Sequence, residues 1–332
     1  MENLEPLEAE KIEVKTKRKK EYHKPLNKKP KNSKSLGKKL NSSKYLLLLF
    51  APVLLYYLIF HYVPMFGIVI AFKDYNLFKG VLESDWVGFK YFQMFIESPD
   101  FFQLLRNTFL LGLYNFIFGF PIPIIFALLL NELKNMYFKR FVQTLSYLPH
   151  FISNVVVASM VVVFLSPAGI INRLISYLGI EPLNWMIMPE MFRTIFVTSE
   201  IWQHMGWEAI IYLAALTSIS PQLYEAAEID GAGRFAKLWY ITLPGILPAI
   251  FIVGILNIGK VLEIGFEKVF LLYNPVTYET ADIISTYVYR VGLVQGNYSY
   301  ATAIGLFLGV ISFIFLFGAN YLAKRFGQES LW

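Results

Sequence analysis

The stretch EAAEIDGAGRFAKLWYITLP, residues 225–244, is a short polar interruption between two long apolar runs of the sequence. Ser220 and Pro221 precede it and are typical of a helix start, because serine caps free N–H groups and proline has no N–H to satisfy. Gly231 predicts a helix stop, since glycine adopts a positive φ without steric cost. Residues 232–240 predict a second helix. The stretch is therefore expected to fold as two short helices joined by a bend.

The composition is that of a membrane protein. Of the 332 residues, 56% are hydrophobic and only 16% are charged, whereas soluble domains carry about 25% charged residues. The absence of cysteine excludes disulfides, thiolate metal sites and cysteine nucleophiles. The four histidines do not have the spacing of metal ligands, so no metal site is predicted; they are His23, His61, His150 and His204.

Six apolar runs are long enough to cross a bilayer, which needs about 20 residues each. They predict an all-α, polytopic membrane protein in which residues 45–332 form one transmembrane domain. The predicted spans are residues 45–71, 107–130, 143–165, 195–219, 245–266 and 300–323, and Pro244 is expected to begin the fifth.

The basic charge of the protein lies in its first 44 residues. Residues 1–44 hold 14 Lys and Arg against 6 Glu, while the rest of the chain is net −2. This composition predicts a disordered basic tail that contacts anionic lipid, and no nucleic-acid-binding face. The first apolar run begins only at Tyr45 and is about 27 residues long, which is too long for a cleaved signal peptide.

The distribution of Lys and Arg sets the expected orientation. With the tail in the cytoplasm, the inner segments hold 21 of the 30 Lys and Arg and the outer segments hold 8. Because positive residues favour the cytoplasmic side, both termini and the loop 220–244 are predicted to be cytoplasmic.

The fixed positions of residues 225–244 form a longer pattern: Glu-Ala-Ala, three residues, Gly, nine residues, then Ile-x-Leu-Pro. The pattern resembles the EAA loop of binding-protein-dependent ABC importer permeases at every fixed position. The resemblance implies that the loop docks as a coupling helix into a groove on an ATPase subunit; without it, a helical linker lying on the membrane explains the same residues. The implied coupling residues are Glu225, Ala226, Ala227, Gly231, Leu243 and Pro244.

Other stretches resemble the polysaccharide-importer branch of these permeases. They are LSYLPHFISNVVV (145–157), LYNPVTYETADIISTYVYRVGL (272–293) and the ending Leu331-Trp332. The resemblance implies the type I importer permease fold, in the plasma membrane of a bacterium. It also implies oligosaccharides as cargo and three kinds of partner: a second homologous permease, ABC ATPase subunits, and an extracytoplasmic lipoprotein that binds the solute.

Residues 254–261 nearly match a phosphate-binding loop. The match fails because Val261 stands where Ser or Thr should hold magnesium, and because the segment lies in an apolar span with no preceding strand. The chain is therefore expected to bind no cofactor, with ATP and Mg²⁺ held by the partner ATPase.

The fourth predicted span carries ionisable side chains, which cost about 2.5–3.5 kcal/mol each to place at the bilayer centre. Glu200, His204 and Glu208 recur every four residues and are expected on one helix face. We expect them to line a path for a polar sugar, with Trp202 and Trp207 as stacking surfaces.

The fifth predicted span carries Lys260, Glu263 and Glu267 at intervals of three and four residues, which also predicts a shared face. Lys260 and Glu263 are candidates for the substrate path. The alternative is that these groups pair to fix helix packing, Lys260 with Glu263 or with Glu200.

Two other functions fit the span charges. A secondary transporter would use Glu200, His204, Glu208 and Lys260 as a proton relay, and its uptake would collapse with the proton gradient. A membrane-embedded enzyme would need His204 with Glu200 or Glu208 as an acid–base pair, but no further motif supports it. No catalytic residue is therefore predicted.

Overall fold

The computed structural model describes residues 44–262 and 264–325. The predicted tail apart from Lys44, the candidate path residue Glu263 and the ending Leu331-Trp332 lie outside the described residues. The chain divides into two compact units, Met1–Met65 and Phe66–Trp332.

The described part of the first unit is helical. Its run of leucines and aromatic residues is apolar enough to cross a membrane. The helical backbone also satisfies its own hydrogen bonds, as hydrocarbon requires. It consists of α1 (Lys44–Tyr57), a π-helical turn (Leu58–Tyr62) and α2 (Val63–Met65).

The first half of the second unit contains the only strands among the described residues. These pair as a two-residue antiparallel ladder, Lys73 with Trp86 and Asp74 with Asp85. The elements in order are a 3₁₀ helix (Phe66–Phe72), β1 (Lys73–Asp74), α3 (Gly80–Glu83), β2 (Asp85–Trp86), α4 (Lys90–Ile96), α5 (Phe101–Tyr114), a π turn (Asn115–Gly119), α6 (Pro121–Glu132), α7 (Met136–Tyr147), a 3₁₀ turn (Leu148–Phe151) and α8 (Asn154–Leu165).

The second half of this unit contains the longest helices. The elements are α9 (Ile170–Ser176), a 3₁₀ turn (Trp185–Ile187), α10 (Pro189–Thr217), α11 (Pro221–Ile229), α12 (Arg234–Lys237), a π turn (Leu238–Thr242), α13 (Leu243–Gly259), α14 (Phe266–Leu272), a 3₁₀ turn (Pro275–Thr277), α15 (Tyr278–Ala281), α16 (Ile284–Tyr289), a π turn (Arg290–Val294) and α17 (Tyr298–Arg325).

Five helical stretches of the described residues are long and apolar enough to cross a membrane: Lys44–Phe72, Phe101–Glu132, Asn154–Ser176, Arg234–Gly259 and Tyr298–Tyr321. The fourth predicted span, 195–219, is not among these five; it coincides with α10, a continuous helix of 29 residues. α10 is less apolar than the others because it carries Glu190, Arg193, Glu200 and Glu208.

The prediction of a continuous third span over residues 143–165 was wrong. α7 ends at Tyr147, and a helix begins again only at Asn154. Pro149 lies in the break, where its missing N–H and its ring disfavour a continuing helix. The Ser153 hydroxyl then accepts a hydrogen bond from the Val156 N–H and caps the new helix.

The prediction for the fifth span was wrong at both ends. Its helix begins before Pro244, at Arg234, and ends at Gly259. Pro244 is accommodated because it follows a π turn, in which the backbone hydrogen bonds are displaced from the α-helical pattern. Since the chain leaves the helix after Gly259 and α14 starts only at Phe266, Lys260 and Glu267 do not share one helix face.

α10 is the packing centre of the second unit. Its first half places Phe192, Phe196 and Val197 in a hydrophobic cluster with residues of α5, α8 and α14. Its second half places Ala209 and Tyr212 in another cluster, with α6 and α13. Packing along both halves therefore holds α10 in place and fixes the direction of the face that carries Glu200, His204 and Glu208.

Candidate functional site

The predicted bend of the loop is formed at Gly231. α11 ends at Ile229, and Gly231 has a φ of +77°, a value that strains residues with a Cβ atom. The Gly231 N–H donates to the Glu228 carbonyl at 3.1 Å, and the Ala232 N–H donates to the Ala227 carbonyl at 2.8 Å. These two bonds satisfy carbonyls that the end of the helix would leave free.

Two side-chain contacts brace the bend. The Lys237 Nζ donates to the Glu228 Oε1 at 2.6 Å, which joins α11 to α12 across the turn. This hydrogen bond lowers the pKa of the Glu228 carboxyl. The Tyr224 hydroxyl and the Thr242 Oγ1 lie 3.0 Å apart and join α11 to the π turn of the fifth span. The two contacts therefore connect α11 both to α12 and to the π turn of the fifth span.

The coupling candidates of α11 lie at the surface. Glu225, Ala226 and Gly231 are exposed and Ala227 is half-buried. α11 has no buried residue. Its start is at Pro221 as predicted, but the Ser220 side chain makes no capping hydrogen bond. Of the remaining two candidates, Leu243 is half-buried and Pro244 is exposed, both inside the continuous helix Arg234–Gly259.

A cavity of about 240 Å³ lies against the polar face of α10; we call it the α10 cavity. Glu200, His204, Glu208 and Lys260 all line it, so four of the six candidate path residues meet in one place. The other lining residues are Gly112, Asn115, Phe116, Gly119, Phe120, Pro123, Phe196, Ile201, Met205, Asn257, Val261, Ile264 and Gly265.

The Glu200 carboxylate has two charged or titratable neighbours. Its Oε1 lies 2.5 Å from the Nζ of Lys268, and its Oε2 lies 3.7 Å from the Nε2 of His204. Lys268 belongs to α14 and its side chain is 2% exposed. The partner of Glu200 is therefore Lys268, and the sequence-based pairing of Glu200 with Lys260 was wrong.

The broken third span contacts the same face of α10. The His150 Nδ1 lies 3.0 Å from the His204 Nδ1. The ring of Trp207 stacks on that of His150, with 4.5 Å between centroids and 4° between planes. Trp207 does not line the α10 cavity, and Trp202 lines a separate apolar cavity beside α8.

Two further contacts join the break in the third span to α10 and α8 to α14. The Gln203 Nε2 donates to the Ile152 carbonyl at 3.1 Å. The Asn154 Nδ2 donates to the Glu267 Oε2 at 2.7 Å, which joins α8 to α14. Since Glu267 and Lys268 are neighbours on α14, this short helix is held both to α8 and to α10.

The segment 272–293 is fastened to α5 and, through the Thr280 hydroxyl and the Pro189 carbonyl, to the start of α10. The buried Asn107 amide donates to the carbonyls of Glu279 and Asp282, both at 3.0 Å. Within the segment, Asp282 and Arg290 form an ion pair at 2.5 Å. The Arg290 guanidinium lies 4.8 Å from the centre of the Tyr278 ring. The segment is therefore packed against neighbouring helices and contains its own ion pair.

The family model described as the binding-protein-dependent transport system inner membrane component matches residues 119–328. The chain belongs to this family. The matched region includes α10, the loop of α11 and α12, and the ion pair of Glu200 with Lys268.

The permease is similar to proteins named for the transport of polygalacturonan, rhamnogalacturonan and alginate. It is 50% identical to the polygalacturonan/rhamnogalacturonan transport system permease protein YteP of Bacillus subtilis (strain 168), covering 89% of this chain and 92% of that protein. A bacterial ABC transporter involved in the import of the acidic polysaccharide alginate matches with a TM-score of 0.82 at 42% identity, over 88% of this chain and 99% of that chain. A second match is the bacterial alginate ABC transporter in complex with an alginate pentasaccharide-bound periplasmic protein, with a TM-score of 0.83 at 41% identity, over 90% of this chain and 100% of that chain.

These comparisons confirm the predicted fold and class. The permease is a multi-pass membrane subunit of an ABC importer for sugars or polysaccharides, with the permease fold of such importers.

Sequence reasoning missed two residues beside the α10 cavity, Lys268 and His150. Lys268 was counted with an outer loop, because the helix was expected to end near residue 266. His150 and Asn154 were placed inside an unbroken span. The signals for the first break were present in Pro149 and in the helix-capping Ser153, whereas nothing local to Lys268 indicates that it reaches Glu200.

Proposed function

We propose that the permease forms half of the translocation path of an ATP-driven oligosaccharide importer and that α11 couples it to an ATPase subunit. The observation that carries this proposal is the intact EAA pattern on an exposed helix whose bend is braced to the fifth span by Lys237–Glu228 and Tyr224–Thr242. An ATPase that moves α11 on ATP binding would move the fifth span with it. ATP and Mg²⁺ are held by that subunit.

The α10 cavity is the proposed portion of the path. Glu200, His204, Glu208 and Lys260 supply hydrogen-bonding groups for sugar hydroxyls, and Asn115 and Asn257 add amides. Trp207 and Glu263 remain candidates for the path, the first on the neighbouring surface and the second outside the described residues. A second homologous permease would complete the path.

The proposed cargo is an oligosaccharide that contains uronic acids. Two of the proteins similar to this chain are named for polygalacturonan and for the acidic polysaccharide alginate. An extracytoplasmic lipoprotein that binds the solute would deliver it, since the alginate transporter is known in complex with a periplasmic protein.

The coupling proposal predicts the effect of Glu225→Lys on the complete reconstituted transporter. We expect solute-stimulated ATP hydrolysis to fall about tenfold. A docking surface that accepts the negative Glu225 meets a like charge in the variant, and such a contact costs at least the 1.4 kcal/mol that a factor of about ten requires. The measurement is ATPase activity with and without solute-loaded receptor.

The matched control is Gln222→Lys, which adds a positive charge to an exposed position of the same helix outside the EAA pattern. It should retain most of the stimulation. Equal stimulation in the Glu225→Lys variant and the wild type would remove Glu225 from the proposed docking surface.

A further inference from the structure

Lys268 is an unusual residue for its position. A lysine side chain that is 2% exposed is costly to bury unless it is paired. Its Nζ contacts the Glu200 Oε1 at 2.5 Å, and Lys268 is not among the residues that line the α10 cavity. The ammonium group therefore lies behind the carboxylate, while Glu200 itself faces the cavity.

The charges that face the α10 cavity are two carboxylates and one ammonium among the described residues. The carboxylates belong to Glu200 and Glu208, and the ammonium belongs to Lys260. Without a further positive charge, a sugar that carries carboxylates would meet a net negative wall. Lys268 supplies that charge from outside the cavity, so the wall becomes neutral while Glu200 still accepts hydrogen bonds from hydroxyls.

We propose that Lys268 is a positioning residue that determines charge specificity: by compensating the carboxylate of Glu200, it allows sugars with carboxylate groups to pass the α10 cavity. This inference rests on the proposed function. Its physical basis is the reduced dielectric of a protein interior, where an uncompensated charge acts more strongly than in water. Lys268 does not touch the sugar and acts only through Glu200.

The test compares two solutes of equal length in proteoliposomes that contain the complete transporter with its receptor. One solute is a short oligogalacturonate, and the other is its methyl ester, which has no carboxylate charge. The measured quantity is the ratio of the initial import rates, charged over esterified. Because the receptor is the same in every variant, its own preference cancels when each ratio is divided by that of the wild type.

Lys268→Gln is expected to lower the ratio about tenfold or more. Without Lys268, the Glu200 carboxylate repels a sugar carboxylate about 6 Å away, at an effective dielectric of about 20. Lys268→Arg should keep the ratio of the wild type. The double variant Glu200→Gln with Lys268→Gln removes both charges and should restore the ratio. Lys90→Gln makes the same charge change at an exposed position and is the matched control.

The inference is overturned if Lys268→Gln slows both solutes equally, since that result assigns Lys268 a structural role alone. It is also overturned if the double variant leaves the ratio low. Should Lys268→Gln fail to assemble, Glu200→Gln decides: leaving Lys268 uncompensated should raise the ratio, and an unchanged or lower ratio contradicts the inference. Failure of the wild type to import either solute would instead contradict the proposed function, and the inference with it.

Discussion

Gly231→Pro is expected to abolish most solute-stimulated ATP hydrolysis by the reconstituted transporter, with a reduction of more than tenfold. Proline fixes φ near −65°, whereas Gly231 has a φ of +77°. The substitution also removes the N–H that donates to the Glu228 carbonyl, and it disfavours the helical end conformation of Asp230. The direction of α11 relative to α12 then changes, and the Lys237–Glu228 contact across the bend is lost.

The matched control for this variant is Gly233→Ala, two residues further along the loop. Gly233 has φ −71° and ψ 173°, which any residue adopts, and a Cβ atom there meets nothing within 4 Å. Its ATPase stimulation should equal that of the wild type. The role of the bend in coupling would be refuted by a Gly231→Pro variant that assembles and retains full stimulation.

Gly112→Ala is expected to destabilise the permease by about 1–3 kcal/mol or more, the range for an overpacked core. Gly112 lies on α5 where that helix crosses the break in the fifth span. A Cβ atom there would lie 1.8 Å from the backbone oxygen of Val261, so α5 or the break must move. The measurement is the thermal unfolding midpoint of the detergent-solubilised complex.

Gly305→Ala is the control, because a Cβ atom on this residue of α17 meets nothing within 4 Å. It should leave the midpoint unchanged or raise it, since alanine is favoured over glycine in a helix by about 1 kcal/mol. Equal midpoints for the two variants would mean that α5 does not approach the break as closely as described.

The fold of the loop 220–244 was largely predictable because its conformation is set locally. Pro221 begins α11, and Gly231 ends it with a positive φ, both through properties of the residue itself. The contacts that brace the loop were not predictable, because Tyr224–Thr242 and Glu228–Lys237 join residues 18 and 9 positions apart.

The spans were predicted from apolar composition, which continues across both breaks and therefore hides them. At the break after Gly259, Val261 closely approaches Gly112 of α5, a residue far from it in sequence. The α10 face was predicted correctly as a helical repeat of Glu200, His204 and Glu208, since α10 is continuous. The partner of Glu200, Lys268, belongs to α14, a separate helix that follows the early end of the fifth span.

We propose that ATP hydrolysis, acting through the loop 220–244, drives import by this permease. The most direct measurement is uptake of labelled oligogalacturonate by proteoliposomes that contain the complete transporter, with a protonophore present and ATP supplied to the ATPase side. Uptake is expected to persist without a proton gradient and to stop when ATP is replaced by a non-hydrolysable analogue. Uptake that continues without ATP hydrolysis and collapses with the proton gradient would contradict this proposal and would favour a secondary transporter.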